Sequence, residues 1–346
     1  MTGMHRVIGA AAALGLGCTT GRTGAPATTP VYPARSCPRG FDGSFVQLGQ
    51  RELAYDQAAW RRALSLLRAV GVDLVVVQFT GDEYGPYDGR AGRAPVRALI
   101  AAAAAMNMKV FLGLDRDPSW PAAAAATRPA PPLGDRRRAR ALAALCTASP
   151  ACAGWYIPQE IDDATWSRPE RQRILRAHLA RTAAALRRLA PGRPIAIAPF
   201  FTGALEPGDH ARFWDGLLAD GSVDIVMLQD GVGSGRGTAE MAGGYLAALR
   251  PLAGARGVEL WSVVELFRQV HGAPLDSRPF AAVPMHPATL RESLSAERAV
   301  AGRMVAFSVL DYMDPARGGA ARLLYDDYAS DCRIACSNPG WKTRCR

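Results

Sequence analysis

Val72-Asp73-Leu74-Val75-Val76-Val77-Gln78 and Val223-Asp224-Ile225-Val226-Met227-Leu228-Gln229 are two runs of the same make. Each is apolar on both faces, which suits a parallel strand covered by helices and not an antiparallel strand with one face in water. Working outward, strands are expected over 41–48, 72–79, 109–114, 153–158, 195–200, 223–228, 259–264 and 304–310. Longer alanine- and arginine-rich runs lie between them, and helices are expected over 56–70, 96–106, 135–145, 168–189, 209–219, 238–252 and 289–301, with a last one over 320–328. Asp56, Asp209 and Ser167-Arg168-Pro169-Glu170 supply helix-start signals. Eight strands alternating with eight helices over about 300 residues specify a single α/β domain, a (β/α)8 or TIM barrel. A doubly wound open sheet is the alternative, but no Gly-x-Gly-x-x-Gly joins a strand to a helix. Gly231-Val232-Gly233-Ser234-Gly235-Arg236-Gly237 lacks that spacing and a phosphate-binding lysine, and reads as loop. Residues 117–132, rich in alanine and proline, read as a surface excursion after the third strand.

Composition agrees with a folded chain. Of the 346 residues, 49% are hydrophobic and 21% charged, which excludes a disordered or collagen-like protein. The net charge is +10, and only Lys109 and Lys342 among the 41 basic residues are lysines. No basic run is interleaved with aromatics, so the charge reads as a solvated arginine-rich surface and no nucleic-acid partner is expected.

The first residues stand apart from the barrel. His5-Arg6 followed by an uncharged small and apolar run to Gly17 resembles an export signal, too short to span a bilayer. Leu14-Gly15-Leu16-Gly17-Cys18 resembles a bacterial lipoprotein signal with Gly15 at the usual leucine position, so Cys18 is the expected lipidation site. Ordinary secretion and a cytosolic start are the alternatives. Residues 19–36 read as a flexible tether, and 37–346 as the barrel with a cysteine-bearing tail. The expected location is the cell envelope or the exterior, with the membrane as partner through Cys18. Six cysteines remain after Cys18, an even number that fits disulfides in an oxidising compartment. Cys146 and Cys152 flank a short loop and are natural partners. Cys37 opens the folded region and Cys332, Cys336 and Cys345 close it, which allows a bridge between the two ends. Cys332-x3-Cys336 has no second ligand pair, and no His-x-His or His-x-x-x-His occurs among five histidines, so no metal and no cofactor are expected.

Chemistry in such a barrel is built where strands end. Those positions carry Gln47, Gln78, Asp115, Glu160, Asp230, Glu265 and Asp311. The fourth and seventh strands lie across the barrel mouth, and each ends in a glutamate among aromatics: Glu160 after Trp155-Tyr156-Ile157-Pro158-Gln159, and Glu265 after Trp261-Ser262-Val263-Val264. Two carboxyl groups flanking a bond are what glycoside cleavage needs, one holding a proton and one ionised. Gln47, Gln78, Asp115, Tyr156, Gln159, Asp162, Gln229, Asp230, Trp261 and Tyr312 are the candidate sugar-binding residues. Many of these strand-end residues have an ordinary reading as well: pairing with an arginine for Glu160 and Glu265, rim salt bridges for Asp115 and Asp311, a turn for Gln229-Asp230-Gly231, a cap for Asp162 and core packing for the aromatics. The loop Thr80-Gly81-Asp82-Glu83-Tyr84-Gly85-Pro86-Tyr87 is suited to lining a cleft. No Gly-x-Ser-x-Gly elbow appears, which argues against an esterase.

Five segments carry a resemblance: Gly43-Ser44-Phe45-Val46-Gln47, Val75-Val76-Val77-Gln78-Phe79, Gly154-Trp155-Tyr156-Ile157-Pro158-Gln159-Glu160-Ile161-Asp162, Leu228-Gln229-Asp230-Gly231-Val232-Gly233 and Trp261-Ser262-Val263-Val264-Glu265-Leu266-Phe267. Together they resemble the bacterial barrel family called domain of unknown function 4434, grouped with glycoside-hydrolase-like TIM barrels. A looser likeness is to the large clan of retaining glycosidases, which implies Glu160 as acid/base and Glu265 as nucleophile. An asparagine precedes the acid/base in that clan, and Gln159 stands in its place here. The expected function is an exported glycosidase acting on a poly- or oligosaccharide with retention. The alternative is a sugar-binding barrel without catalysis, serving cell-surface polysaccharide assembly or export.

Overall fold

The computed structural model describes residues 40–78, 80, 81, 93–115, 120, 136–273 and 275–337. The export signal, the tether, Cys18, Cys37, Cys345 and most of the 80–87 loop and the 117–132 excursion lie outside the described residues. Eight parallel strands close into a barrel: β1 (Gly43–Val46), β2 (Leu74–Val77), β3 (Lys109–Gly113), β4 (Cys152–Ile157), β5 (Ile195–Ile197), β6 (Ile225–Gln229), β7 (Glu259–Glu265) and β10 (Met304–Phe307), with β10 pairing β7 and β1 to complete the ring. The first and last strands register Gly43 on Val305. Asp42 holds the seam by accepting from Met304 N at 2.8 Å and Arg298 at 3.0 Å.

The strand runs are apolar on both faces because two cores use them. Phe45, Val76, Phe111, Tyr156, Met227, Trp261, Val263 and Phe307 fill the barrel interior. The alternate residues, among them Val75, Val77, Leu112, Trp155, Ile197, Val226 and Val264, pack beneath the helices. Gly154 is inward, and a Cβ there would lie 2.4 Å from the Phe111 ring, so glycine makes room for that large side chain.

Amphipathic spacing sets the outer ring. Helix α1 (Gln50–Leu53) is a single turn. In α2 (Gln57–Ala69), Asp56 caps by accepting from Ala59 N at 2.7 Å, and Trp60, Leu64 and Leu67 form the buried stripe. Helices α3 (Arg93–Ala105), α4 (Arg136–Thr147), α5 (Asp163–Trp166), α6 (Pro169–Leu189), α7 (Pro207–Leu218), α8 (Ala239–Ala255) and α9 (Pro287–Arg298) follow the strands in turn. After β10 come a single turn, α10 (Val309–Tyr312), and the final α11 (Gly319–Ser337). Tyr328 of α11 stacks on Phe41 at 5.2 Å, accepts from Phe41 N and donates to Val70 O, which pins the last helix under the first strand.

Several elements depart from expectation, and the fifth barrel strand ends at Ile197 and not at residue 200. The eighth barrel strand stops at Phe307, not at residue 310, because residues 309–312 turn into α10, at whose start Ser308 Oγ donates to Asp311 at 2.5 Å. The final helix runs on to Ser337, since no helix breaker follows residue 319 until Pro339. An antiparallel hairpin, β8 (Phe267–His271) with β9 (Ala281–Pro284), stands between β7 and α9 and was not expected from the sequence. The Cys146–Cys152 disulfide forms as expected, joining the end of α4 to the start of β4, and Cys332 is disulfide-bonded as well.

Candidate active site

Side chains alternate along a strand, so each inward run extends by steps of two to the carboxyl end of its strand. Phe45 leads to Gln47, Val76 to Gln78, Phe111 and Gly113 to Asp115, Met227 to Gln229, and Val263 to Glu265. A polar ring at the mouth therefore caps an apolar interior. Gln47 and Gln78 are half-buried, and Gln78 Oε1 is buried without a hydrogen-bond partner. Gln229 Nε2 donates to Ala198 O at 2.7 Å. Gln159 reaches Asp115 O at 3.5 Å while its own Oε1 is buried and unpartnered.

Glu265 and Asp230 are the most enclosed of the predicted catalytic and sugar-binding residues, each at 1% exposure. Glu265 Oε2 accepts from Ser234 N at 2.7 Å, and Glu265 Oε1 has no hydrogen-bond partner. The loop over it is the glycine run after β6. A Cβ on Gly233 would sit 2.2 Å from Phe267 O and 2.8 Å from Glu265 Cβ, so only glycine lets the loop close over the carboxyl. Burial pushes the Glu265 carboxyl up, against the opposing charge of Arg236 and the N–H groups of Ser234 and Gly233. Asp230 is also buried, and its Oδ1 accepts from Val232 N at 3.1 Å and Glu265 N at 3.3 Å. Burial first, then the charges of Glu297 and Glu265, push its carboxyl well up. Glu297 on α9 completes the cluster from behind β7: it is fully buried, bonded to Ser262 Oγ, and pushed up to about 8 by burial and then by Glu265.

Glu160 follows β4, three strands from Glu265 around the ring by way of β5 and β6. It is half-buried, and its carbonyl accepts from Trp120 Nε1 at 2.5 Å. Trp120 stacks on Trp166 at 4.9 Å, so the part of the 117–132 excursion that is described is anchored in the core. Tyr156 projects into the barrel next to Phe45, and burial followed by the Glu160 charge pushes its phenol up. Tyr312 packs against Phe267 at 5.3 Å, and its phenol is raised by burial and, among weaker causes, by Glu265. Each glutamate thus has a phenol within electrostatic reach, that of Tyr156 buried and that of Tyr312 half-buried.

Several predicted residues have other employment. Trp261 is not at the mouth: it lies two inward steps below Glu265, bonded to Glu259 at 2.9 Å, packed on Phe111 and under Arg303. It is interior filling, because its position near the start of β7 turns it to the barrel floor. Asp162 caps α5, accepting from Thr165 N at 2.5 Å, and Asp115 pairs with Arg138 at 2.9 Å. Asp311 pairs with Arg317 at 2.8 Å.

Sequence reading missed Ser234, Arg236 and Glu297, and also a buried chain in which Trp214 Nε1 donates to His210 Nε2 while His210 Nδ1 faces Asp163 at 3.3 Å. Burial alone would raise the Asp163 carboxyl, but bonds from His210 and Thr202 outweigh it and hold it below its ordinary range. The signal for Ser234 and Arg236 was present: they are the polar residues within an alternating run of glycines. Among the described residues no group of three or more His, Cys, Asp or Glu could hold a metal ion, and no helix is long and apolar enough to cross a membrane.

Residues 41–318 match the model of the family described as domain of unknown function DUF4434. The chain is 30% identical over 290 residues to the uncharacterized protein YbcH of Escherichia coli strain K12, covering 80% of this chain and 91% of that one. Among solved structures it resembles a provisionally assigned alpha-L-fucosidase from Bacteroides thetaiotaomicron, with TM-score 0.66, 18% identity and coverage of 86% of this chain and 98% of the other. It also resembles the endo-beta-1,4-mannanase of Thermotoga petrophila, with TM-score 0.54, 13% identity and coverage of 87% and 77%. At these identities the structural likeness establishes the barrel fold.

Proposed function

This chain belongs to the DUF4434 family, and we propose that it is an exported glycosidase cleaving a poly- or oligosaccharide through Glu160 and Glu265. The observation that carries this reading is the state of Glu265: inward-facing at the end of β7, fixed through one oxygen by a backbone N–H, with the other oxygen unpartnered. In the retaining form of the reaction Glu160 protonates the departing glycosidic oxygen while Glu265 Oε1 attacks the anomeric carbon. Water then displaces Glu265, with Glu160 taking its proton. The backbone donors and Arg236 favour the ionised Glu265 that attack requires, against the burial that raises it. Gln47, Gln78, Gln159, Gln229 and Tyr156 supply polar and aromatic contacts, and anchoring through Cys18 would place the barrel at the cell envelope.

Burial of Glu265 favours a second reading, a carbohydrate-binding barrel without turnover that serves polysaccharide assembly or export. Reducing-end release from a polysaccharide panel separates the two. Glu160→Gln and Glu265→Gln should each lower turnover by about a hundred- to ten-thousand-fold while glycan binding persists. Retained turnover in both variants would remove the two-glutamate reading. Binding without release by any form, wild type included, would favour the binding barrel.

A further inference from the structure

Arg236 enters the site from the same loop that encloses Glu265. Its backbone N and that of Gly237 both donate to Gly231 O, at 2.9 and 3.1 Å, which closes a tight turn and sets the start of its side chain. The guanidinium lies over the Phe200 ring, 4.3 Å from its centroid, at the carboxyl end of β5. One face of the cation is therefore occupied by an aromatic, and the edge carries the recognition chemistry. Nη1 on that edge is buried and has no hydrogen-bond partner. Glu265 Oε1 likewise has none, so these two atoms do not bond to each other although the Arg236 charge acts on Glu265.

We propose that the sugar this site takes is a uronic acid, its carboxylate held by the Arg236 guanidinium while Glu265 Oε1 is left for the anomeric carbon. The proposal rests on the carbohydrate reading above and names its substrate class. A buried charged N–H without an acceptor is costly, and a carboxylate matches the planar fork of an arginine better than a hydroxyl does. A uronic acid supplies the anionic acceptor that Nη1 lacks, and the carbon bearing its carboxylate is separated from the anomeric carbon, which Glu265 Oε1 attacks, by the ring oxygen alone. The surrounding charge permits it. Asp230 and Glu297, the carboxyls that share the desolvated cluster with Glu265, are pushed toward their neutral forms.

The test is calorimetric titration of the full chain carrying Glu160→Gln, which blocks turnover and leaves Arg236 in place. The probes are oligoglucuronate and oligogalacturonate, each beside the same oligomer after carboxyl reduction to the neutral sugar. At least one acidic oligomer should bind about tenfold or more tightly than its reduced form. Adding Arg236→Gln should shrink that preference to about twofold or less, and Arg236→Lys, which keeps the charge without the fork, should retain part of it. Thermal midpoints report folding. If Arg236→Gln does not fold, a weakened preference in folded Arg236→Lys decides the matter in the same direction. Equal binding of acidic and reduced oligomers, a preference that survives both substitutions, or no uronate binding overturns the inference. Binding or hydrolysis of neutral glycans alone would do so while leaving the glycosidase reading standing; no glycan binding of any kind would remove both.

Discussion

Three carboxyl groups, Asp230, Glu265 and Glu297, share one desolvated region, and desolvation is the first cause of the raised carboxyl in each. They cannot all be ionised at once without water to screen them. Glu297 is the one whose removal spares the mouth, since it reaches the cluster from α9 through Ser262. Its carboxyl stands at about 8 when folded against an ordinary 4.5, so between those values the unfolded chain ionises it while the folded chain keeps the proton. Stability therefore falls as pH rises across that window. Glu297→Gln has no such proton, so its stability relative to wild type should grow from pH 5 to pH 8 by about a few kcal/mol at most. Denaturant unfolding at the two values measures this, and a gap independent of pH would show that Glu297 is not held neutral. At this scale Glu265 was legible because a lone acid ends an apolar run. Glu297 was not, since nothing in a helical sequence says which strand residue its side chain will meet.

Among the elements, the αβ connection between α4 and β4 is closed by Cys146 and Cys152, six residues apart and both buried. Closing so short a loop restricts the unfolded chain modestly, by about 2 kcal/mol. The Cys146→Ala, Cys152→Ala double variant should lose about 2 to 4 kcal/mol in denaturant unfolding, the upper part reflecting lost packing. A loss near zero would mean that the strand start is fixed by other contacts. The pairing was readable because six residues of separation leave few alternatives. The β8–β9 hairpin was not. Phe267 continues the β7 run without a turn signal, and only its pairing with Pro284 across the intervening loop makes residues 267–271 a separate strand. The glycine loop after β6 was read as loop, which it is, but its closure over Glu265 follows from the third dimension.

At the scale of the molecule, the described barrel begins after residue 39, and the export reading belongs to what precedes it. If Cys18 is the acylated residue, the full-length chain expressed in a bacterial host should partition with membranes and incorporate labelled palmitate. Cys18→Ser should move it to the soluble fraction with loss of label. Wild-type protein found soluble and unlabelled would leave plain secretion or retention in the cell. Two or more acyl chains are needed for stable anchoring, so partial release of the wild type after incomplete acylation is also expected.

The closed ring of eight strands, the ordering of the helices and the placement of Glu160 and Glu265 at strand ends were determined by the chain itself. These features depend on local periodicity and on a connectivity rule that leaves few topologies, and both are written in consecutive residues. The tertiary structure alone decided which strand-end residues are spent on the scaffold and which side chains gather around Glu265. Trp261 went to the barrel floor, Asp162 to a helix cap and Asp115 to Arg138, while Arg236 and Glu297 came in beside Glu265. Desolvation and charge pairing act through space between residues remote in sequence, and no local pattern encodes the partner until the barrel has closed.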